Sequence, residues 1–354
     1  INEDSKNETK NLNEKKFTNY KQVNLKNIIN NKSYDKSYKI IEIIKEKISY
    51  LPIKDIIFND IKLKTGYICD IDSYEIILNN NEKINIVIKI SNFDNELSNT
   101  AIKLNLYKNE SYFYDKIART LYGINTPKSM GIFKINNKDA IILENLKVYN
   151  GKFNINLNNN INLLLKILND MGKIHSIYHF KSEDKILNNM KELKKVKQIT
   201  YYSDLIKKRY DKFIEKNNLF LSNNQIKLLN NIYKNFDNIL DKLSSFPLSF
   251  CHGDLKSPNI FYKDNSIPYY LDWQYIHLNK GVSDIIFLLV ESIEYNQITT
   301  KIVEKYYYKF LIENNLKYTY SEYIHDLKLS LCIFPFFVSV WFNSEDSDKL
   351  LDKV

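Results

Sequence analysis

The spacing of apolar residues divides the chain into a strand-rich first part and a helix-rich second part. A polar Asn/Lys/Glu stretch at residues 1–36 precedes isoleucines that recur at helical spacing until Pro52, which predicts a helix there. The period then changes, and β-branched and aromatic runs follow at residues 56–64, 67–78 and 83–90. Because Gly66 and an Asn-rich turn separate these runs, they predict an antiparallel meander.

Helices dominate the chain beyond the meander. A helix with a mixed face is predicted at residues 97–121, and a hairpin across Asn136 and Asn137 follows it. Further helices are predicted at residues 161–178, 186–196, 204–214, 225–243, 282–293, 301–314 and 320–342. Short strand-like pieces between residues 248 and 272 interrupt this series once.

These elements predict an α+β architecture with two lobes. The expected organisation is a polar extension at residues 1–36, a small β-rich lobe with one main helix at 37–146, and a larger, mostly helical lobe at 147–354. With 354 residues the chain is long enough for two cores, so a cleft between the lobes is expected to be available.

Composition indicates a folded protein and argues against a nucleic-acid partner. Hydrophobic residues make up 44% of the chain and aromatic residues 14%, which is too many for a disordered protein. The formal net charge is +9, but the lysines are interleaved with Asn and Ile along the whole chain rather than clustered, so no nucleic-acid partner is expected. A basic cleft for a phosphorylated ligand is compatible with this charge.

Cysteine usage and hydropathy favour a cytoplasmic location. The three cysteines, Cys69, Cys251 and Cys332, are far apart, which argues against a disulfide framework and a zinc cluster and fits a reducing compartment. No apolar run approaches the roughly 18 to 20 residues of a membrane span, so no membrane association is expected. Residues 1–36 lack the apolar core of a signal peptide.

The segment H-G-D-L-K-S-P-N at residues 252–259, followed by L-D-W-Q at 271–274, carries the densest chemical signal. Phosphoryl transfer needs a carboxylate that orients and deprotonates the attacking hydroxyl, and it needs oxygen ligands for Mg²⁺. Asp254 supplies this carboxylate, and Asn259 and Asp272 supply oxygen ligands for Mg²⁺. A hairpin with its turn at an Asp-Asn pair would bring these two metal ligands together.

The two motifs resemble the catalytic loop and the metal-binding segment of a protein-kinase-like superfamily. It contains aminoglycoside phosphotransferases, choline/ethanolamine kinases and ecdysteroid-kinase-like proteins, which carry H-G-D-x-x-x-x-N and a metal-binding Asp followed by an aromatic residue. The resemblance implies a two-lobed protein-kinase-like fold, ATP and Mg²⁺ as cofactors, and transfer of the γ-phosphate to a hydroxyl of a small molecule. It also implies that Asp254 is the base and that Asn259 and Asp272 bind Mg²⁺.

The resemblance extends upstream and covers most of residues 50–295. Lys89 ends a strand like the Lys that reaches the α- and β-phosphates in these enzymes, and Glu110 matches the helix acid that positions this Lys. The family's interlobe segment, whose backbone receives the adenine, is similar to the segment formed by Glu144, Asn145 and Leu146. Asp284 matches an Asp that braces the catalytic loop.

Other residues near the motifs are interpreted as structural. His175 and His252 are expected to pack around the catalytic loop and orient it rather than to act as ligands. Cys251 precedes the loop in a strand that is predicted to be buried, which favours an inert thiol. The aromatic-rich segment at residues 334–342 is interpreted as helix core, with a wall of the acceptor pocket as the alternative.

Two departures from the pattern keep other functions open. The phosphate-covering loop has one glycine, Gly66, instead of G-x-G-x-x-G, which leaves a catalytically inactive binding module as an alternative. Lys256 is interpreted as a contact of the transferred phosphate because it resembles the protein-kinase catalytic loop, so a protein kinase is the other alternative. Against a protein kinase, no A-P-E follows Asp272, and only eleven residues separate it from Asp284.

The identity of the acceptor stays open between antibiotics, choline, sugars and steroids, all of which the resembled family phosphorylates. An acidic pocket would favour a cationic acceptor such as choline or an aminoglycoside. Candidates for such a pocket, by their position downstream of the motifs, are Glu291, Glu294, Glu345, Asp346 and Asp348.

Overall fold

The computed structural model contains two compact units. Its described residues are 32–59, 68–93, 96–293 and 297–342. The units are Ile1–Leu63 with Asp72–Ile88, and Lys64–Ile71 with Lys89–Val354. Most of the polar stretch at residues 1–36 lies outside the described residues, and the lobe boundary at residue 147 stays a prediction.

The first unit joins a helix to a small sheet. Its elements belong to α1 (Lys32–Lys47), β1 (Ile53–Asn59), β2 (Cys69–Leu78) and β3 (Lys83–Ser91). Helix α1 buries Ile40 and Ile44 and packs against β1. Strand β1 pairs antiparallel with β2, with Ile56 opposite Ile76, and β2 lies between β1 and β3. The predicted meander is therefore confirmed, and the residues of β3 from Lys89 onward belong to the second unit.

The segment predicted as one helix at residues 97–121 is broken, so that prediction is wrong. Helices α2 (Glu96–Lys103) and α3 (Leu106–Tyr112) are separated at Asn105, whose φ of 59° is left-handed. A left-handed residue cannot continue α-helical hydrogen bonding, and Asn adopts this conformation more readily than most residues. A π-helical turn and a 3₁₀ turn complete the segment up to Thr120.

The predicted hairpin across Asn136 and Asn137 is confirmed. Strand β4 (Ser129–Ile135) pairs antiparallel with β5 (Lys138–Glu144). The two asparagines have φ of 48° and 64°, and positive φ at both positions is what a two-residue type I′ turn requires.

Long helices make up much of the second unit. They are α4 (Ile161–Ile177), α5 (Thr200–Asn217), α6 (Asn223–Lys234), α7 (Phe236–Leu243), α8 (Val282–Ser292), α9 (Gln297–Glu313) and α10 (Tyr320–Phe342). Helix α4 packs against α9 and buries Leu164, Leu168 and Met171. The single helix predicted at residues 225–243 is instead α6 and α7, which meet at Asn235. Among the described helices, none combines the length and the apolar character needed to cross a bilayer.

The helix predicted at residues 186–196 is also wrong, because the segment forms 3₁₀ turns. Ile186 and Leu187 have ψ of 128° and 145°, which is extended backbone. The apolar side chains of Ile186, Met190 and Leu193 are nevertheless buried. Their helical spacing therefore reflects three anchors of an irregular segment rather than the face of a helix.

Two three-stranded antiparallel sheets frame the motif region. One contains β6 (Gly151–Phe153), β9 (Ile260–Lys263) and β10 (Ile267–Tyr270), with β9 in the middle. The other contains β7 (His179–Phe180), β8 (Leu248–Cys251) and β11 (His277–Asn279), with β8 in the middle. The segment 252–259 therefore follows β8, and the segment 271–274 follows β10.

Replacing Met190 by Ala tests whether the irregular segment is held by its buried anchors. Met190 is fully buried, so we expect Met190→Ala to lower the free energy of unfolding by about 2–5 kcal/mol in urea titrations. Leu187 is 44% exposed, and Leu187→Ala is the matched control, with a change within about 0.5 kcal/mol. Equal losses in the two variants would contradict this description of the segment.

Candidate active site

The predicted hairpin between Asn259 and Asp272 is present and sets the spacing of the site. Strands β9 and β10 pair antiparallel, and Asp264 and Asn265 form the turn with φ of 52° and 54°. Beyond the strands, the N–H of Leu271 donates to the carbonyl of Asn259 at 2.9 Å. The two residues predicted to bind metal therefore lie at the open end of one hairpin.

Two side chains hold the carboxylate of Asp254. Asn259 Nδ2 donates to the carbonyl oxygen and to Oδ2 of Asp254, both at 2.9 Å, and Lys256 Nζ lies 2.9 Å from Oδ1. Burial raises the pKa of Asp254 to about 6. Lys256 lowers this pKa but offsets the effect of burial only in part, and the negative charge of Asp272 raises it further. A carboxylate with this pKa is suited to accept a proton near neutral pH.

Lys89 bridges two carboxylates. Its Nζ lies 2.8 Å from Glu110 Oε2 and 2.6 Å from Asp272 Oδ1. Burial acts to lower the pKa of Lys89, but Asp272 and Glu110 together raise it well above its usual value. Burial raises the pKa of Glu110, although Lys89 acts to lower it. Burial also acts to raise the pKa of Asp272, but Lys89 overcomes this effect and holds the pKa below its usual range. The ammonium is therefore charged and is shared between the two acids.

Asp284 braces the loop at residues 252–259, as predicted. Its carboxylate accepts the backbone N–H groups of His252 and Gly253 at 2.7 and 2.8 Å. It also lies 3.1 Å from His175 Nε2, and the other ring nitrogen of His175 lies 2.7 Å from the hydroxyl of Tyr307. Because a carboxylate only accepts, Nε2 of His175 carries a proton. This confirms His175 as a packing residue beneath the loop.

His252 joins the loop at residues 252–259 to the segment at residues 271–274. Its Nδ1 accepts the backbone N–H of Asp254 at 3.2 Å, so Nε2 is the protonated nitrogen and donates to the carbonyl of Leu271 at 3.0 Å. Burial lowers the pKa of His252, which favours this neutral form. The predicted role in orienting the loop backbone is confirmed.

Gly253 fits its place because it has no side chain. Its φ is +80°, and a Cβ there would lie 2.2 Å from the carbonyl oxygen of Tyr275. The close approach fixes the loop at residues 252–259 against the turn that follows Asp272.

The segment predicted to receive adenine is held by local contacts of its side chains. The backbone N–H of Glu144 donates to the carbonyl of Lys128 at 2.9 Å, and the Glu144 carboxylate accepts from the N–H of Lys128 and from the hydroxyl of Tyr149. Asn145 caps a 3₁₀ turn through its side-chain oxygen, and Leu146 is buried. Adenine binding by this segment stays a prediction.

Several residues named from the sequence lie outside the described residues. Gly66, and the acidic candidates other than Glu291, lie outside the described residues. Glu291 is exposed near the end of α8. Helix α10 contains the aromatic-rich segment at residues 334–342, whose side chains are also outside the described set.

His175, Cys251 and Asp284 form a buried cluster whose possible ligand atoms lie within 4.8 Å of one another. Both ring nitrogens of His175 and both carboxylate oxygens of Asp284 already have hydrogen-bond partners within the protein. Burial raises the pKa of the Cys251 thiol well above its usual value, which fits the predicted inert thiol. We interpret the cluster as a structural hydrogen-bond network.

Gln274 and Asn109 have no role in the sequence patterns described above, yet both lie in the site. Gln274 Nε2 donates to Glu110 Oε2 at 3.2 Å, and Asn109 Nδ2 donates to the carbonyl of Gln274 at 2.9 Å. The sequence shows a Gln two residues after Asp272, but it does not show that this Gln contacts Glu110.

Residues 71–320 match the model of the ecdysteroid kinase-like family. This range spans 250 of the 354 residues, which is more than half of the chain. No curated protein matches the chain in sequence.

Three solved structures are similar to the chain. Amicoumacin kinase hAmiN, in complex with AMP-PNP, Ca²⁺ and Ami, has a TM-score of 0.52 at 12% identity, over 90% of this chain and 93% of that one. Choline kinase LicA from Streptococcus pneumoniae has 0.50 at 16% identity, over 89% and 96%. The streptomycin–ATP ternary complex of APH(2″)-IIa has 0.52 at 15% identity, over 89% and 95%. The likeness shows the fold, so the predicted protein-kinase-like α+β fold is confirmed.

Replacing Gly253 by Ala tests the close approach to Tyr275. The new Cβ would overlap a backbone oxygen, so we expect Gly253→Ala to lower the free energy of unfolding by more than about 2 kcal/mol in urea titrations. Gly123 also has positive φ, at +73°, but no atom lies within 4 Å of its Cβ position, so Gly123→Ala should cost only the backbone strain of about 1–2 kcal/mol. Equal effects in both variants would contradict the packing argument.

The raised pKa of Asp254 predicts a pH dependence of stability in protein stripped of metal by EDTA. In the unfolded chain this carboxyl ionises near its ordinary pKa of roughly 3.9, whereas in the folded chain it ionises at about 6. The folded state thus binds more protons between these values. We expect the free energy of unfolding of the wild type, relative to Asp254→Asn, to fall as pH rises through this range. A difference that stays constant with pH would contradict the burial of Asp254.

Proposed function

We propose that this chain, which belongs to the ecdysteroid kinase-like family, is an ATP- and Mg²⁺-dependent phosphotransferase that transfers the γ-phosphate of ATP to a hydroxyl group of a small molecule. One observation carries the proposal. Lys89, Glu110 and Asp272 come from distant parts of the chain and meet in one set of ion pairs. Asp254, Lys256 and Asn259 form a second set within one loop.

Asp254 would act as the general base. Asn259 and Lys256 fix its carboxylate, and its raised pKa suits proton transfer from an acceptor hydroxyl near neutral pH. Lys256 Nζ is close enough to Asp254 that a phosphate placed beside the base would also meet this ammonium. It would stabilise the negative charge that develops on the transferred group.

The donor set fits Mg²⁺. Asn259 uses its amide nitrogen for both contacts with Asp254, so its amide oxygen is the atom that can serve a cation. The side chain of Asp272 is 35% exposed, and it contacts Lys89 through Oδ1. Carboxylate and amide oxygens are the hard ligands that Mg²⁺ prefers. When bound, the ion supplies charge neutralisation for the β- and γ-phosphates.

Lys89 would contact the α- and β-phosphates, with Glu110 as its fixed partner. Of its two acids, Asp272 is the more exposed, and Glu110 is nearly fully buried. When nucleotide is bound, Lys89 would therefore keep its contact with Glu110. It would exchange part of its contact with Asp272 for contacts with phosphate oxygens.

A protein kinase is less well supported. The whole stretch between Asp272 and Asp284 is described, and it is taken up by the turn at Trp273–Tyr275, strand β11 and the start of α8. That leaves no length for a segment that docks a peptide. An inactive binding module is disfavoured because the base and both metal ligands are retained.

The proposal is tested with labelled ATP, Mg²⁺ and a panel of amino alcohols, aminoglycosides and generic proteins. We expect the wild type to label a small molecule of the panel and no protein. Asp254→Asn removes the proton acceptor, so turnover should fall by about 10² to 10⁴ while calorimetric binding of Mg·ATP survives.

The matched control for this test is Asp264→Asn, at the exposed hairpin turn, which should keep wild-type turnover. Near-full activity of Asp254→Asn would eliminate the proposed mechanism, and labelling of proteins alone would favour a protein kinase.

A further inference from the structure

Helix α3 and the turn that follows Asp272 are held together by contacts that the proposed reaction does not itself require. Asn109 Nδ2 donates to the carbonyl of Gln274 at 2.9 Å, and Gln274 Nε2 donates to Glu110 Oε2 at 3.2 Å. The ring of Phe113 stacks on Trp273, with centroids 4.1 Å apart and an interplanar angle of 6°. Three side chains of one helical segment thus contact two consecutive residues of the turn.

The amide of Gln274 is committed to this contact. Gln274 is 3% exposed, and its Nε2 lies 3.8 Å from Cys69 Sγ in addition to its bond with Glu110. A buried amide is costly unless it is hydrogen-bonded. Because a buried thiol is a weak acceptor, the bond to the Glu110 carboxylate is the stronger of the two.

These bonds close a ring around the catalytic lysine. Lys89 contacts Glu110 and Asp272, Glu110 accepts from Gln274, and Gln274 follows Asp272 by two residues. Moving α3 away from the turn would therefore break the bonds of Gln274 and Asn109 as well as the Lys89–Glu110 pair. The Lys89–Glu110 pair is therefore stabilised by the turn that directly follows Asp272, the proposed metal ligand.

We infer that Gln274 and Asn109 are positioning residues, which fasten α3 to the turn so that Glu110 holds Lys89 at the nucleotide phosphates without a separate activating event. The inference rests on the proposed function. Gln suits position 274 because its amide donates to Glu110. A Glu would place a second acceptor against that carboxylate, and a Leu would remove the donor.

The test compares the affinities for Mg·ATP and for adenosine, both measured by calorimetry, in Gln274→Leu, Gln274→Glu and Asn109→Ala. Because Lys89 would contact phosphates and not adenine, we expect both Gln274 variants to bind Mg·ATP about tenfold more weakly while adenosine binding stays within about twofold. Asn109→Ala should weaken Mg·ATP about threefold, since it removes one neutral hydrogen bond.

The controls are Gln225→Glu at the exposed start of α6 and Lys108→Ala on the exposed side of α3, and both should behave as the wild type. Unchanged Mg·ATP affinity in the Gln274 variants would overturn the inference. An equal loss of adenosine and Mg·ATP affinity would also overturn it, because it would indicate a structural role only. If neither Gln274 variant folds, Asn109→Ala decides by the same comparison.

The readout separates this inference from the proposed function. A wild-type chain that binds Mg·ATP but phosphorylates no acceptor would contradict the proposed function, while the affinity comparison would still judge Gln274. A phosphorylating wild type whose Gln274 variants bind Mg·ATP normally would contradict only the inference.

Discussion

The Lys89 ammonium between the carboxylates of Glu110 and Asp272 is the interaction on which the rest of the site depends. Removing one partner of a buried ion pair costs about 3–5 kcal/mol, because the remaining charge is left without compensation. Here Glu110 and Asp272 share the single positive charge of Lys89, so the set carries a net negative charge. The ion pair of Asp254 with Lys256 adds no net charge. Glu110 is almost fully buried and is bonded by Gln274, which leaves the more exposed Asp272 as the carboxylate that can take up a cation at least cost.

The architecture could be predicted where a local conformation required a particular residue. The hairpin across Asn136 and Asn137 and the turn at residues 264–265 were predictable because few residue types adopt positive φ at two consecutive positions. The helices predicted at residues 97–121 and 186–196 are wrong because they were predicted from apolar spacing and not from a local conformation. Apolar spacing records which side chains are buried, and an irregular segment buries Ile186, Met190 and Leu193 as well as a helix would.

The same distinction holds in the site. That Asp254, Asn259 and Asp272 come together could be predicted because one loop and one short hairpin fix their spacing. The pairing of Lys89 with Glu110 could be expected because their order along the chain follows a family pattern. The bond between Gln274 and Glu110 joins residues 164 positions apart, and no spacing rule encodes it. Gln274 could have been noticed only as a polar residue in an otherwise apolar turn, where a buried amide implies a partner.

The scarcity of glycine makes the remaining glycines informative about this site. The chain has seven glycines in 354 residues, and Asn fills most of its described non-glycine left-handed positions: Asn81, Asn105, Asn136, Asn137, Asn154, Asn265 and Asn315. Where only the backbone angle matters, Asn is thus sufficient. Gly253 and Gly281 meet a different demand, because a Cβ would lie 2.2 Å from Tyr275 O and 2.6 Å from His175 Cγ. Gly253, the glycine of H-G-D, is therefore needed because the loop lies too close to Tyr275 for any side chain at this position. Gly253 lets the loop at residues 252–259 approach Tyr275, the residue after Gln274. The turn that fastens α3 therefore also supports the loop of Asp254, so the proposed base, metal ligand and lysine depend on the same turn.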